Sequence, residues 1–105
     1  MQSYQSRIKT EEIDSLFEVI LLLKDEAECY QFFEDICTIS ELHAIAQRLE
    51  VAKLLKQNVT YQEIAQRLGA STATISRVNR CLTYGSGGYR TMLQRLEKTQ
   101  QPENN

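Results

Sequence analysis

The chain of 105 residues has one proline, four glycines, one histidine and no tryptophan. So few helix breakers, beside plentiful Leu, Ile, Ala, Glu, Gln, Lys and Arg, favour an all-α fold in a single domain. A lone histidine, His43, excludes most catalytic and metal chemistry, because nucleophile–base pairs and metal sites need several such groups in reach. It reads as a surface or partly packed side chain. The three cysteines, Cys29, Cys37 and Cys81, are an odd number without metal-ligand spacing, and read as free thiols of a reducing cytoplasm. No apolar run reaches membrane-spanning length; the longest is Val19 to Leu23. A secretory leader pattern is lacking at the start. No glycine-rich phosphate loop with its lysine precedes a helix, and Gly85, Gly87 and Gly88 read better as a hinge. A non-enzymatic cytoplasmic protein without cofactor, metal or membrane attachment is the expectation.

Net charge is small, −2, but unevenly distributed. Residues 1–43 hold three Lys/Arg against ten Asp/Glu, a net of −7, while residues 44–98 hold nine against three, a net of +6. A basic half attracts phosphates and an acidic half limits non-specific adhesion. Ordinary solvated helix faces would give similar counts, since sequence does not place the positive charges on one side.

Six helices are expected. Residues 1–10 are polar and aperiodic, a flexible arm with Arg7 and Lys9 available for weak phosphate contact. The first helix runs from about Glu11 to Lys24, with Ile13, Leu16, Phe17, Ile20 and Leu23 on one stripe. Asp25 with Glu28 forms a capping box for a second helix carrying Tyr30, Phe32, Phe33 and Ile36. Thr38 with Glu41 repeats the signal before a third, whose apolar edge is Leu42, Ile45, Leu49, Ala52 and Leu55. A last helix spans about Tyr89 to Lys98, with Met92, Leu93 and Leu96 apolar, before a disordered tail at 99–105. The first two helices carry more apolar and aromatic surface than a short hairpin needs. A partner chain is the natural recipient; packing on the third helix of the same chain is the alternative.

Residues 60–82 carry the functional signal. Thr60 with Glu63 forms a capping box. A short helix then presents Ile64, Ala65 and Leu68, and Gly69 follows where a tight turn needs positive φ. A second helix starts at about Ser71 and buries Ile75, Val78 and Leu82 at helical spacing. This is a helix-turn-helix. Its second helix turns Ser71, Thr72, Ala73, Ser76, Arg77 and Arg80 to solvent. Small hydroxyls near a helix N-terminus suit phosphates and base edges, and arginines suit phosphate or guanine. A bland helical hairpin, or the same motif used on a protein partner, are the competing readings.

The order of elements, with Glu28-Cys29-Tyr30-x-Phe32-Phe33, Ala46-Gln47-Arg48-Leu49-Glu50-Val51-Ala52 and Gly69-Ala70-Ser71-Thr72-Ala73-Thr74-Ile75-Ser76-Arg77-Val78, resembles the Trp repressor superfamily. It most closely resembles its Trp-repressor-like YerC/YecD branch, over roughly residues 11–98. The resemblance implies a six-helix, intertwined homodimer on operator DNA. In the Trp repressor two arginines sandwich the indole of the corepressor. The one on the recognition helix corresponds to Arg77, and the pocket threonine before it to Thr74. The other falls on Gln47 without a gap, or on Arg48 with a one-residue gap. Where the repressor has glycine this chain has Val78, whose side chain takes the space a ligand needs. Gln47, Arg48, Thr74 and Val78 therefore outline a vestigial pocket that does not take tryptophan.

The combined expectation is a homodimeric regulator of transcription, a repressor by resemblance, that docks the second helix of each motif in the major groove of a half-site of double-stranded DNA. Thr72, Ala73, Ser76 and Arg77 are the candidates for readout, and Arg80, with Arg67 and Lys56, for phosphate register. The alternatives are an interaction module, or a DNA-binding regulator with a different small-molecule effector.

Overall fold

The computed structural model describes residues 4–100, and among these every regular element is a helix. The chain divides into two units, up to Thr38 and from Ile39 onward.

In the first unit, residues 4–10 form no helix or strand. Thr10 starts α1 (Glu11–Ile20): its hydroxyl accepts from the Ile13 N–H at 3.1 Å. The helix stops four residues earlier than expected from its apolar stripe. Leu22 and Leu23 tighten to hydrogen bonds with Val19 and Ile20, three residues back. Asp25, fully extended at φ −154°, then opens α2 (Glu26–Ile36) and accepts from the Glu28 N–H at 2.9 Å. The capping box is displaced by one residue, because the Glu28 carboxylate accepts from the Lys24 N–H and not from that of Asp25. Neither helix contains a buried residue. Leu21 is 83% exposed, and Phe17, Leu22, Tyr30 and Ile36 are exposed too.

The second unit contains α3 (Ile39–Lys56), α4 (Tyr61–Leu68), α5 (Thr72–Tyr84) and α6 (Gly88–Gln100). α3 packs on the other three, and α5 on α4 and α6. Val51, Ala52, Ile64, Ala70, Ile75, Val78 and Leu93 form the core, with Leu54, Leu55, Val59, Ala65, Leu68, Leu82, Tyr89 and Leu96 around it. Full burial of Val51, Ile64, Ile75 and Val78 contributes about 1.5–3 kcal/mol each. The apolar edge of α3 differs from the expected stripe. Ala52 and Leu55 face the core, but Ile45 and Leu49 are 47% and 38% exposed, and Val51 is buried in their stead. Only the C-terminal part of α3 is covered by α4, α5 and α6. Met92 on α6 is likewise exposed.

α3 ends in a Schellman motif. Asn58 takes the left-handed conformation at φ 63°, and the Val59 and Asn58 N–H groups return to the carbonyls of Leu54 and Leu55. α6 extends two residues beyond its expected end, to Gln100. Residues 99 and 100 of the expected disordered tail are therefore helical; residues 101–105, like 1–3 of the expected arm, lie outside the described residues.

Candidate nucleic-acid interface

Local chemistry builds the two helices that carry the candidate site. Thr60 accepts from the Glu63 N–H at 3.2 Å and starts α4. The Glu63 carboxylate does not close the expected capping box; it is ion-paired with Arg67 one turn on. Gly69 ends α4 at φ 67° and donates its N–H to the Ala65 carbonyl. A Cβ there would meet nothing within 4 Å, so the left-handed backbone alone calls for glycine. Ser71 caps α5, accepting from the Thr74 N–H at 3.1 Å while its own O–H donates to the Thr74 hydroxyl at 3.0 Å. The Ser71 hydroxyl is thus engaged in the cap. At the other end Gly85 donates to the Cys81 carbonyl at 2.9 Å, and a Cβ on Gly85 would strike that carbonyl.

α5 is two-sided. Ile75 and Val78 are buried, and Leu82 is half-buried on the same stripe. Thr72, Ala73, Ser76, Arg77 and Arg80 are exposed. Ala73, Ser76, Arg77 and Arg80 line one open depression with Asn79, Thr83 and Tyr84 of the same helix and Tyr61 of α4. Three- and four-residue steps link position 73 to 76 and 77, these two to 80, and 80 to 83 and 84, so the six share one face. α5 contains two arginines and no acidic residue, and among the described residues neither Arg77 nor Arg80 is in an ion pair. The face is therefore open, uncompensated and positive. Thr72 lines an adjoining shallow depression with Tyr61, Gln62, Ala65 and Gln66.

Two of the phosphate candidates stand apart. Arg67 is exposed but held by Glu63. Lys56 is exposed at the end of α3 and lines a different groove, with Lys53, Gln57, Leu93, Leu96, Glu97 and Gln100. Tyr61, Asn79, Thr83 and Tyr84 were not among the sequence candidates. Thr83 and Tyr84 could have been found by continuing the exposed spacing of α5. Tyr61 required knowledge of how α4 crosses α5.

The four residues of the expected vestigial pocket do not line either of these depressions. Val78 is 1% exposed and packed in the core. Gln47 is half-buried on α3, and its side-chain Nε2 donates to the Leu68 carbonyl at 3.2 Å. Arg48 is exposed, and Thr74 is half-buried within the α5 cap. Among the described residues no group of His, Cys, Asp and Glu could hold a metal, and no helix is long and apolar enough to cross a membrane. The three cysteines are unpaired.

Residues 11–97 match the family model of the Trp repressor protein. The uncharacterized YerC protein of Bacillus subtilis strain 168 is 52% identical over 94 residues, which is 90% of each chain. The crystal structure of a TrpR-like protein from Eubacterium eligens ATCC 27750 superposes with a TM-score of 0.83. It is 54% identical, over 87% of this chain and 94% of that one. A candidate Trp repressor from Staphylococcus aureus superposes equally well, at 0.83, with 48% identity over 87% of this chain and 91% of its own. With six helices among its described residues, its glycine-turned α4–α5 pair and this likeness over nearly its whole length, the chain belongs to the Trp repressor family and, within it, is similar to YerC.

Proposed function

We propose that the protein is a homodimeric, sequence-specific DNA-binding regulator of transcription, a repressor, that works without tryptophan. The observation that carries the reading is the outer face of α5. Ala73, Ser76, Arg77 and Arg80 line one open depression, on a helix without acidic residues whose other side is anchored by Ile75 and Val78. A rigid helix with small residues and two free guanidiniums fits the major groove, where arginine pairs with guanine or phosphate. Family membership supports the same use. The acidic first unit, with no buried residue and eight large exposed apolar side chains among its described residues, supports a second copy of the chain as the partner. An apolar surface of that kind on short helices stabilises a fold only when covered.

Two observations support independence from tryptophan. The Val78 side chain fills core space, and inserting an indole there would demand overpacking. The Gln47 amide is committed to a backbone carbonyl and offers no cation for stacking.

The test is a titration of random-sequence duplex DNA at several salt concentrations, followed by selection of tight-binding duplexes from the same pool. Counterion release requires that affinity fall steeply with salt. Affinity below detection even at low salt would leave the exposed α5 face to a protein partner.

A further inference from the structure

Gln47 and Leu68 are 21 residues apart, yet one hydrogen bond joins them. Among the described residues, the other side-chain hydrogen bonds of α4 and α5 reach only three or four residues along the chain. This one crosses from α3 to the end of α4. Leu68 is the last residue of α4, and its carbonyl is one of those a helix cannot pair internally. The next residues are Gly69, in the left-handed conformation, buried Ala70, and Ser71, which caps α5. The carbonyl held by Gln47 therefore lies where the chain sets the direction of α5.

The close-packed core of Val51, Ile64, Ile75 and Val78 sets how these helices cross. The hydrogen bond adds a directional constraint at the turn itself, where the chain leaves α4. A hydrogen bond at 3.2 Å weakens steeply with distance and angle. We infer that Gln47 is a positioning residue: its amide clasps the α4–α5 turn to α3 and holds α5 in the orientation that presents Ser76 and Arg77 to base edges. The inference rests on the DNA-binding reading. Gln47 touches no DNA in this scheme; it acts through the backbone of the turn. Base readout needs hydrogen bonds at fixed geometry, whereas attraction to phosphates survives a misaligned helix. Loss of the clasp should therefore lower selectivity more than overall attraction.

The experiment uses the full chain and two probes: a duplex selected by the wild-type protein from a random-sequence library, and the unselected pool. Gln47→Met keeps the bulk and removes the donor. It should weaken binding of the selected duplex by roughly three- to tenfold, the range one net hydrogen bond supports. Affinity for the pool, its salt slope and helical content should stay unchanged. Gln47→Glu sets an acceptor against the Leu68 carbonyl and should be worse. Gln47→Lys restores a donor on a flexible stem and should recover the selected-to-pool ratio. Gln47→Asn, one methylene shorter, is read like Gln47→Met if that variant does not fold. Amide exchange at Gly69 and Ala70 should accelerate in the Met, Asn and Glu variants. An unchanged ratio with faster exchange overturns the positioning role, and unchanged exchange overturns the clasp itself. If the wild type binds neither probe, the DNA-binding reading fails and takes the positioning role with it. Amide exchange then still decides the clasp.

Discussion

Arg67 is ion-paired with Glu63, one turn earlier on α4, with both side chains about half exposed. Such a pair contributes about 0.3–0.5 kcal/mol to the helix, and it compensates the guanidinium locally. Arg77 and Arg80 on α5 have no acidic residue on their own helix. Three arginines that look equivalent in sequence are thus unequal: the uncompensated charge of the candidate face belongs to α5.

Substitution of the arginines should reveal that inequality. Arg77→Ala and Arg80→Ala should both weaken DNA binding while leaving the far-ultraviolet circular dichroism unchanged. If Arg80 holds a phosphate, its loss should weaken all sequences about equally and reduce the salt slope by roughly one unit. Arg67→Ala should lower the slope by less, since Glu63 already competes for that charge. Equal slopes for wild type and Arg80→Ala would remove Arg80 from the phosphate contacts.

Gly69→Ala should destabilise the protein by about 1–2 kcal/mol, the cost of a left-handed conformation for a residue with a Cβ. Space is available for the added methyl, so the loss isolates backbone strain from steric clash. Ser71→Ala removes the α5 cap and should cost about 1 kcal/mol. Denaturant midpoints at constant slope measure both; a neutral Gly69→Ala would contradict the role given to that turn.

Assembly is checked by mass and by mass action. Helices α1 and α2 contain no fully buried residue within the single chain, so the folded species should sediment as a dimer at micromolar concentration. Its unfolding midpoint should rise with protein concentration, because folding and association are coupled. A folded monomer with a concentration-independent midpoint is the result that excludes this.

Tryptophan should give no saturable heat in calorimetry, and DNA affinity should be the same with and without it. Val78→Gly opens core space but leaves Gln47 without a cation, so it should not create a binding site. A micromolar dissociation constant for the wild type would mean that exposed Arg48 and a displaced Val78 rebuild the pocket.

How much was legible in the chain divides by the range of the interactions. Thr60, Gly69 and Ser71 act on backbone groups within four residues, and both ends of α4 and the start of α5 follow from them. The period of Ile64, Ile75 and Val78 marks the buried sides of those helices without reference to anything else, because a helix that packs at all must pack its apolar stripe. Hence the six helices, the turn and the exposed Ala73, Ser76, Arg77 and Arg80 could all be read in advance. The span of α1 could not. The run Val19 to Leu23 favours continuation, but Glu28, from the next helix, takes the Lys24 N–H and Asp25 turns the chain.

What only the tertiary structure decided is which apolar and polar groups meet across elements. It covers α3 at Val51, Ala52 and Leu55 but leaves Ile45 and Leu49 open. It brings Tyr61 beside Arg77 and Arg80, and sends Lys56 to a groove with Leu93 and Glu97. It gives Gln47 a carbonyl on another helix. None of these is encoded in local spacing. Each depends on how helices far apart in sequence cross, and that is set by the shape of the whole core.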